Sequence, residues 1–251
     1  MCFIPRLRRL LAAGTAACAL LAAPAVAAAQ TIQVVTEATP WTYLEGGRVA
    51  GPATEIVTTA LQRAGLTDTS INLYPWARAY DLALKEPHTL IFLIARTPAR
   101  EAQFKWVGEF MKIDYHFYRL KTQADVVVGR LDDARRYTVG VTRDDLRHQY
   151  LQQRGFTKLV VSAHNMDNFR KLIAGQVQLM PMPEDDALAL CREARFDCAG
   201  LEKVHTLADM STGIHAAYSL ATPDAVVDRT RQAFDKLRAD GTVRRLMTLR
   251  R

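Results

Sequence analysis

From Thr31 to Ile94 the chain alternates strand-like and helix-like stretches, and this alternation limits the fold more than any other feature. TIQVVTE (31–37) is rich in β-branched residues and reads as a strand. PWTYLEGGRVAGP reads as a loop, punctuated by Gly46-Gly47 and Gly51-Pro52. ATEIVTTALQRAG carries Ile56, Val57, Ala60, Leu61 and Ala64 at helical spacing, with Thr54 as N-cap and Gly65 as stop. SINLYP, WARAYDLALKE and TLIFLI then read as strand, helix and strand. A β-α-β-α-β order of this kind demands crossover connections, and so a mostly parallel sheet with helices on its faces.

The pattern restarts further on. YTVGVT (137–142), KLVVS and VQLMPMP read as strands, and DDLRHQYLQQRG, MDNFRKLIAGQ and DDALALCREARF as helices. There is no sequence repeat, only a repeated architecture, so the expected fold class is α/β with two similar lobes. GIHAAYSL then reads as a strand and Thr222-Pro223-Asp224 as a helix start. The amphipathic helix that follows, with Val226, Val227, Phe234 and Leu237, needs a partner, expected in the first lobe.

At the N-terminus, Arg6, Arg8 and Arg9 precede an alanine-rich apolar run that ends in Ala27-Ala28-Ala29. This is the pattern of a secretory signal peptide cleaved near Ala29, which predicts an exported, periplasmic protein. Its removal takes three arginines and no acid, lowering the formal charge from +7 to +4. That mild excess does not point to nucleic acid. The same cut leaves Cys191 and Cys198 as the mature cysteines, and an even pair in an oxidising compartment predicts a disulfide closing a short loop. The six histidines show no metal-ligand spacing, and no nucleophile–histidine–acid set stands out, so neither metal nor cofactor is expected.

The stretch LIFLIARTPAREAQFKW places two arginines where a buried strand gives way to a helix-like segment. With Thr97 as N-cap and Pro98 as first helical residue, Arg100 falls in the first turn, where the helix dipole disfavours a cation. An anion between Arg100 and the free N–H groups would reverse that penalty. Pairing of Arg100 with Glu101 or Glu109 is the other reading of the same residues. Glu37, Trp41 and Tyr43 follow the first strand, and Trp76 and Arg78 the second. Strand ends of one parallel sheet converge on one edge, so these side chains, with Arg96 and Arg100, are candidates to line one cleft. Core packing is the competing role for Trp41 and Trp76.

In order and spacing, T-E-x-x-P-W-x-Y-x-x-G-G-x-x-x-G-P-x-x-E-I-V, Y-P-W-A-R-A and I-A-R-T-P-A-R-E-x-x-F-K-W-V-G, followed by V-G-V-T-R-D-D and A-Y-S-L-A-T-P-D, resemble the family 3 extracellular solute-binding proteins. These are periplasmic receptors of polar amino-acid ABC importers. The resemblance covers nearly the whole mature chain and implies the type II periplasmic-binding-protein fold, two α/β lobes joined by a two-segment hinge with the ligand between them. It implies crossings near Phe117–Lys121 and Ile214–Tyr218. Lobe 1 would then comprise 30–118 plus 216–251, and lobe 2 would comprise 119–215.

By the same resemblance Arg100 matches the arginine that grips a ligand carboxylate, Trp76 the aromatic wall, and Glu37 the polar residue closing the first strand. The second lobe departs from the family. Its glycine-serine or glycine-threonine turn is replaced by Arg143-Asp144-Asp145, and Met182-Pro183, with Glu184 beside it, stands where many members carry an amine-binding aspartate. Arg143 and Glu184 join the candidate ligand residues, and whether the solute is an amino acid stays open. The expected function is therefore capture of a small carboxylate-bearing solute by a monomer that delivers it to an inner-membrane ABC permease, without bond chemistry. A dehydratase-like enzyme on the same fold, with Glu37 as acid or base, and a periplasmic sensor are the alternatives.

Overall fold

A computed structural model describes Met1 and residues 31–248. Apart from Met1, the expected signal peptide lies outside the described residues.

Strand β1 (Ile32–Thr36) leads to a hairpin, β2 (Tyr43–Glu45) and β3 (Arg48–Ala50), in the stretch expected to be loop. Helix α1 (Pro52–Arg63), β4 (Thr69–Leu73), α2 (Trp76–Lys85) and β5 (Thr89–Ala95) follow, and β1 pairs in parallel with β4 on one side and β5 on the other. The α1 helix starts two residues before the expected Thr54 cap. Pro52 takes its first position, and Gly51 precedes it at φ 108°. A Cβ at Gly51 would lie 2.5 Å from the Trp41 carbonyl oxygen, so only glycine fits this approach. Thr54 is instead buried, sharing a 2.8 Å hydroxyl hydrogen bond with Thr42.

The segment after Arg100 departs most from expectation. In place of a helix, a three-residue 3-10 turn (Glu101–Gln103) opens into the ten-residue strand β6 (Phe104–Ile113). Phe104 and Trp106 pack into the core beneath α2, whereas Val107 and Phe110 join the core beneath α1 and α6. An edge strand with both faces covered needs apolar residues on both, which hides the period-two signal.

The chain then leaves this sheet. Strand β7 (His116–Leu120) belongs to a second body with β8 (Val139–Thr142), α3 (Leu146–Gln153), β9 (Leu159–Ser162), α4 (Asn165–Ile173), β10 (Met180–Met182), α5 (Glu184–Ala194) and β11 (Leu201–Thr206). There the strands pair in the order β10-β7-β11 and as parallel β8-β9, with a bridge from Val139 to Leu179 linking the two sets. Strand β12 (Thr212–Ser219), α6 (Asp224–Ala239) and α7 (Thr242–Met247) return to the first body, whose sheet has the order β4-β1-β5-β12-β6. Helix α6 packs on α1 and β6, which gives it the partner the sequence called for.

The two lobes are thus joined by two short links, Asp114-Tyr115 and Leu207–Ser211. The expected links at 117–121 and 214–218 fall instead largely inside β7 and β12, where Phe117 and Tyr218 are fully buried in sheet pairs.

Cys191 and Cys198 are joined by a disulfide that ties the end of α5 to the turn before β11. Closing so short a loop restricts the unfolded chain by roughly 2 kcal/mol. Reduction is therefore expected to lower the melting temperature by roughly 4–8 °C for a chain of this size. A melting curve unchanged by reductant would contradict that contribution.

Candidate functional site

Strand β5 ends at Ala95, and the backbone turns back on itself, with the Arg100 amide donating to the Thr97 carbonyl at 3.0 Å. No α-helix begins here, so the helix-dipole argument for an anion does not apply. Burial makes the argument instead. Arg100 is 1% exposed, among the largest fully buried side chains. Its guanidinium lies over the rings of Tyr80 (4.9 Å) and Trp76 (5.6 Å). Nη1 donates to the Ala95 carbonyl at 3.4 Å and Nη2 to Gln149 Oε1 at 3.1 Å, while the buried Nε has no partner. Among the described residues no carboxylate pairs with it. Burial pulls its pKa down, yet a guanidinium stays charged at any physiological pH. An unpaired buried cation costs several kcal/mol unless something supplies the missing charge.

The facing wall comes from the turn after β8. Asp145 caps α3 by accepting from the His148 amide at 2.8 Å. Arg147, 6% exposed, is held wholly from its own lobe: Nε donates to Asp145 Oδ2 at 2.6 Å, and Nη1 to Asn165 Oδ1 at 3.0 Å and to the Pro181 carbonyl at 3.3 Å. Burial alone would lower its pKa, but the surrounding acids, Asp145 foremost, raise it above the ordinary arginine value. Among the described residues two side-chain hydrogen bonds join the lobes. Trp76 Nε1 donates to the Asp144 carbonyl at 3.0 Å, and Arg100 reaches Gln149, whose amide also donates to the Asp144 carbonyl at 3.1 Å.

Between these walls lies a cavity of about 40 Å³, lined by Glu37, Trp76 and Arg100 of lobe 1, Tyr115 of the first link, and Asp145 and Arg147 of lobe 2. Leu93, Ala95, Leu146 and Ile214 complete its apolar surface. Leu93 in β5 and Asp144 beside the cavity hold φ of 60° and 58°, strained values for residues with a Cβ, of a kind that recurs at functional sites. Larger grooves on the surface, such as one of about 530 Å³ between β6 and α7, lie away from this concentration of buried charge.

The acids here are pushed toward their neutral forms. Burial raises Glu37 to about 8, against the opposing field of Arg147. Burial likewise raises Asp186, in the first turn of α5, to about 6, and its Oδ1 is buried without a partner. Tyr115 is pushed above the usual phenol value for the same reason.

Of the residues singled out in the sequence, the structure brings Glu37, Trp76 and Arg100 to this cavity. Trp41 packs in the lobe 1 core at 4% exposure, and Tyr43 lies exposed on the β2–β3 hairpin. Arg78 is exposed over the Tyr74 ring, and Arg96 pairs with Glu101, Nε to Oε2 at 2.8 Å, while covering Trp106. Arg143 is exposed, and Glu184 turns outward to Lys203 at 3.2 Å. Sequence reasoning passed over Tyr115, Arg147, Gln149 and Asp186, and noted Asp145 only as part of the turn that departs from the family. Arg147 carries the signal that drew attention to Arg100, a cation just beyond a buried parallel strand, and Asp186 lies two residues past Glu184.

No family model and no curated protein sequence matches this chain. Solved structures do. A histidine kinase sensor domain with similarity to periplasmic binding proteins superposes with a TM-score of 0.76 at 19% identity, over 86% of this chain and 94% of that one. An ancestral arginine-binding protein bound to arginine gives 0.72 at 16% identity, over 86% and 96%. An amino acid ABC transporter substrate-binding protein from Streptococcus pneumoniae bound to L-arginine gives 0.73 at 14%, over 86% and 92%. The chain has the type II periplasmic-binding-protein fold. In that fold two α/β lobes enclose a cleft at the links between them, where Arg100 and Arg147 meet here.

The acids set a pH dependence. Glu37 holds its proton up to about 8 in the folded protein, whereas an unfolded chain releases it near ~4.3. Its contribution to stability is therefore complete below the unfolded value and is lost as pH rises through 8. Between about pH 5 and 9 the wild type should lose stability relative to Glu37→Gln, by up to a few kcal/mol, in paired thermal melts. Parallel profiles would contradict the assignment.

Proposed function

We propose that this protein is a periplasmic solute-binding protein that captures a small carboxylate-bearing solute between its lobes and delivers it to an inner-membrane ABC permease. The observation that carries the reading is Arg100: a fully buried guanidinium with an unpartnered Nε and no counter-charge, bonded across the cleft to Gln149. A carboxylate seated on it would supply both the missing charge and the missing acceptor. Trp76 serves as the aromatic wall, Glu37 as the polar group opposite, and Arg147 as the cationic floor of lobe 2.

Closure follows from the same contacts. A solute that touches Arg100 and the α3 turn stabilises the closed form by its differential affinity for that form, and the lobes pivot about Asp114-Tyr115 and Leu207–Ser211. In this reading the protein acts as a monomer without a cofactor, both walls of the cleft coming from one chain. Export by a signal peptide fits this role, as does the resemblance to substrate-binding proteins of amino-acid importers. The superposed kinase sensor domain favours a second reading, in which the closed form is reported to a signalling partner instead of a permease.

An uncompensated buried charge is strongly destabilising, and an apolar side chain of similar volume in its place removes that cost. Arg100→Met should therefore melt at or above the wild-type temperature without solute, yet lose the stabilisation that carboxylate solutes give the wild type. A variant that keeps the full solute-induced shift would sink the carboxylate assignment. Uptake of the identified solute lost on deletion of the gene would favour import, and uptake unchanged would favour sensing.

A further inference from the structure

We propose that the solute is a short monocarboxylate without an amine, because Arg147 supplies from within the chain the cation that an amino-acid ligand would bring. This rests on the solute-binding reading above and narrows it.

Three observations lead there. The first is space. The cavity is small, about 40 Å³, against the several hundred Å³ of pockets that take drug-sized ligands. That favours a solute of a few non-hydrogen atoms, such as acetate or a two- or three-carbon hydroxy or keto acid.

The second is charge. Arg147 and Asp145 form a closed pair that the Asn165 side chain and the Pro181 carbonyl hold in place, so this cation cannot swing out of the cleft without breaking four contacts. Arg147 is the cation whose field acts most on both Glu37 and Asp186, the carboxyls that would otherwise receive an ammonium group. Among the described residues no carboxylate forms an ion pair with Arg100, and its buried Nε lacks an acceptor. A buried guanidinium with an open donor calls for an anionic group seated on it.

The third is the character of the remaining wall. Leu93, Leu146 and Ile214 line the cavity and suit a methyl group, not a charged amine. Glu37, carrying its proton at neutral pH, can donate a hydrogen bond to a carbonyl or hydroxyl oxygen beside the carboxylate.

Isosteric pairs test this directly. Calorimetric titration of the mature protein would compare lactate with L-alanine and glycolate with glycine, with acetate, pyruvate, L-glutamine and L-arginine alongside. The wild type should bind the hydroxy or keto acid at least tenfold more tightly than its amino counterpart and show no binding of glutamine or arginine. In Arg147→Ser, which opens the cleft and frees Glu37 and Asp186, the preference should shrink or reverse in favour of the amino acids. Circular dichroism checks that this variant folds; if it does not, the wild-type pairs decide alone. Alanine bound as tightly as lactate, or glutamine or arginine bound by the wild type, would overturn the inference and leave the solute-binding reading standing. Silence across the whole panel would overturn both.

Discussion

The structure turns on one unbalanced charge. Arg100 sits in the interior over two aromatic rings, and among the described residues a carbonyl and an amide oxygen are its acceptors. Folding such a group into place costs more than its neutral hydrogen bonds return, because each contributes about 1 kcal/mol net. In the proposed function, an anion arriving in the cleft between the lobes would offset that cost. Arg147, equally buried, poses no such problem, because Asp145 answers it within the same turn. The asymmetry between the two arginines gives the cleft its sign.

Among the described residues, the two side-chain hydrogen bonds between the lobes lie at one place. Trp76 and Arg100 reach across from lobe 1, and Asp144 and Gln149 receive them in lobe 2. Gln149 both accepts from Arg100 and donates to the carbonyl that accepts from Trp76, so the contact between the lobes and the proposed carboxylate site share Arg100. In the proposed function, occupancy and closure are therefore coupled through one side chain. Asp144, whose carbonyl receives Trp76 and Gln149, holds a positive φ of 58°.

Much of the fold was legible in the sequence because its strands and helices of lobe 1 carry ordinary periodicity: α1, α2 and α6 are amphipathic, and β1 and β5 are short apolar runs between turn residues. Strand β6 was not, since covering on both faces removes its alternation, and the hairpin β2–β3 was hidden by glycines that suit a loop equally well. At the site, Glu37, Trp76 and Arg100 were legible because strand ends in a parallel sheet point one way. Trp41 and Arg96 share that position but satisfy other needs, core packing for one and Glu101 for the other. Arg147 and Asp186 escaped notice because their importance comes from burial, which no linear spacing in the turn before α3 or in the acidic run at α5 announces.

The most direct measurement is a crystal structure of the mature protein grown with a carboxylate solute that binds it. The account predicts a carboxylate oxygen within hydrogen-bond distance of Arg100 Nε, the atom that lacks a partner, with the lobes joined through Trp76 and Gln149. A solute seated elsewhere, or one in this cleft whose carboxylate leaves Arg100 Nε unpaired, would contradict it.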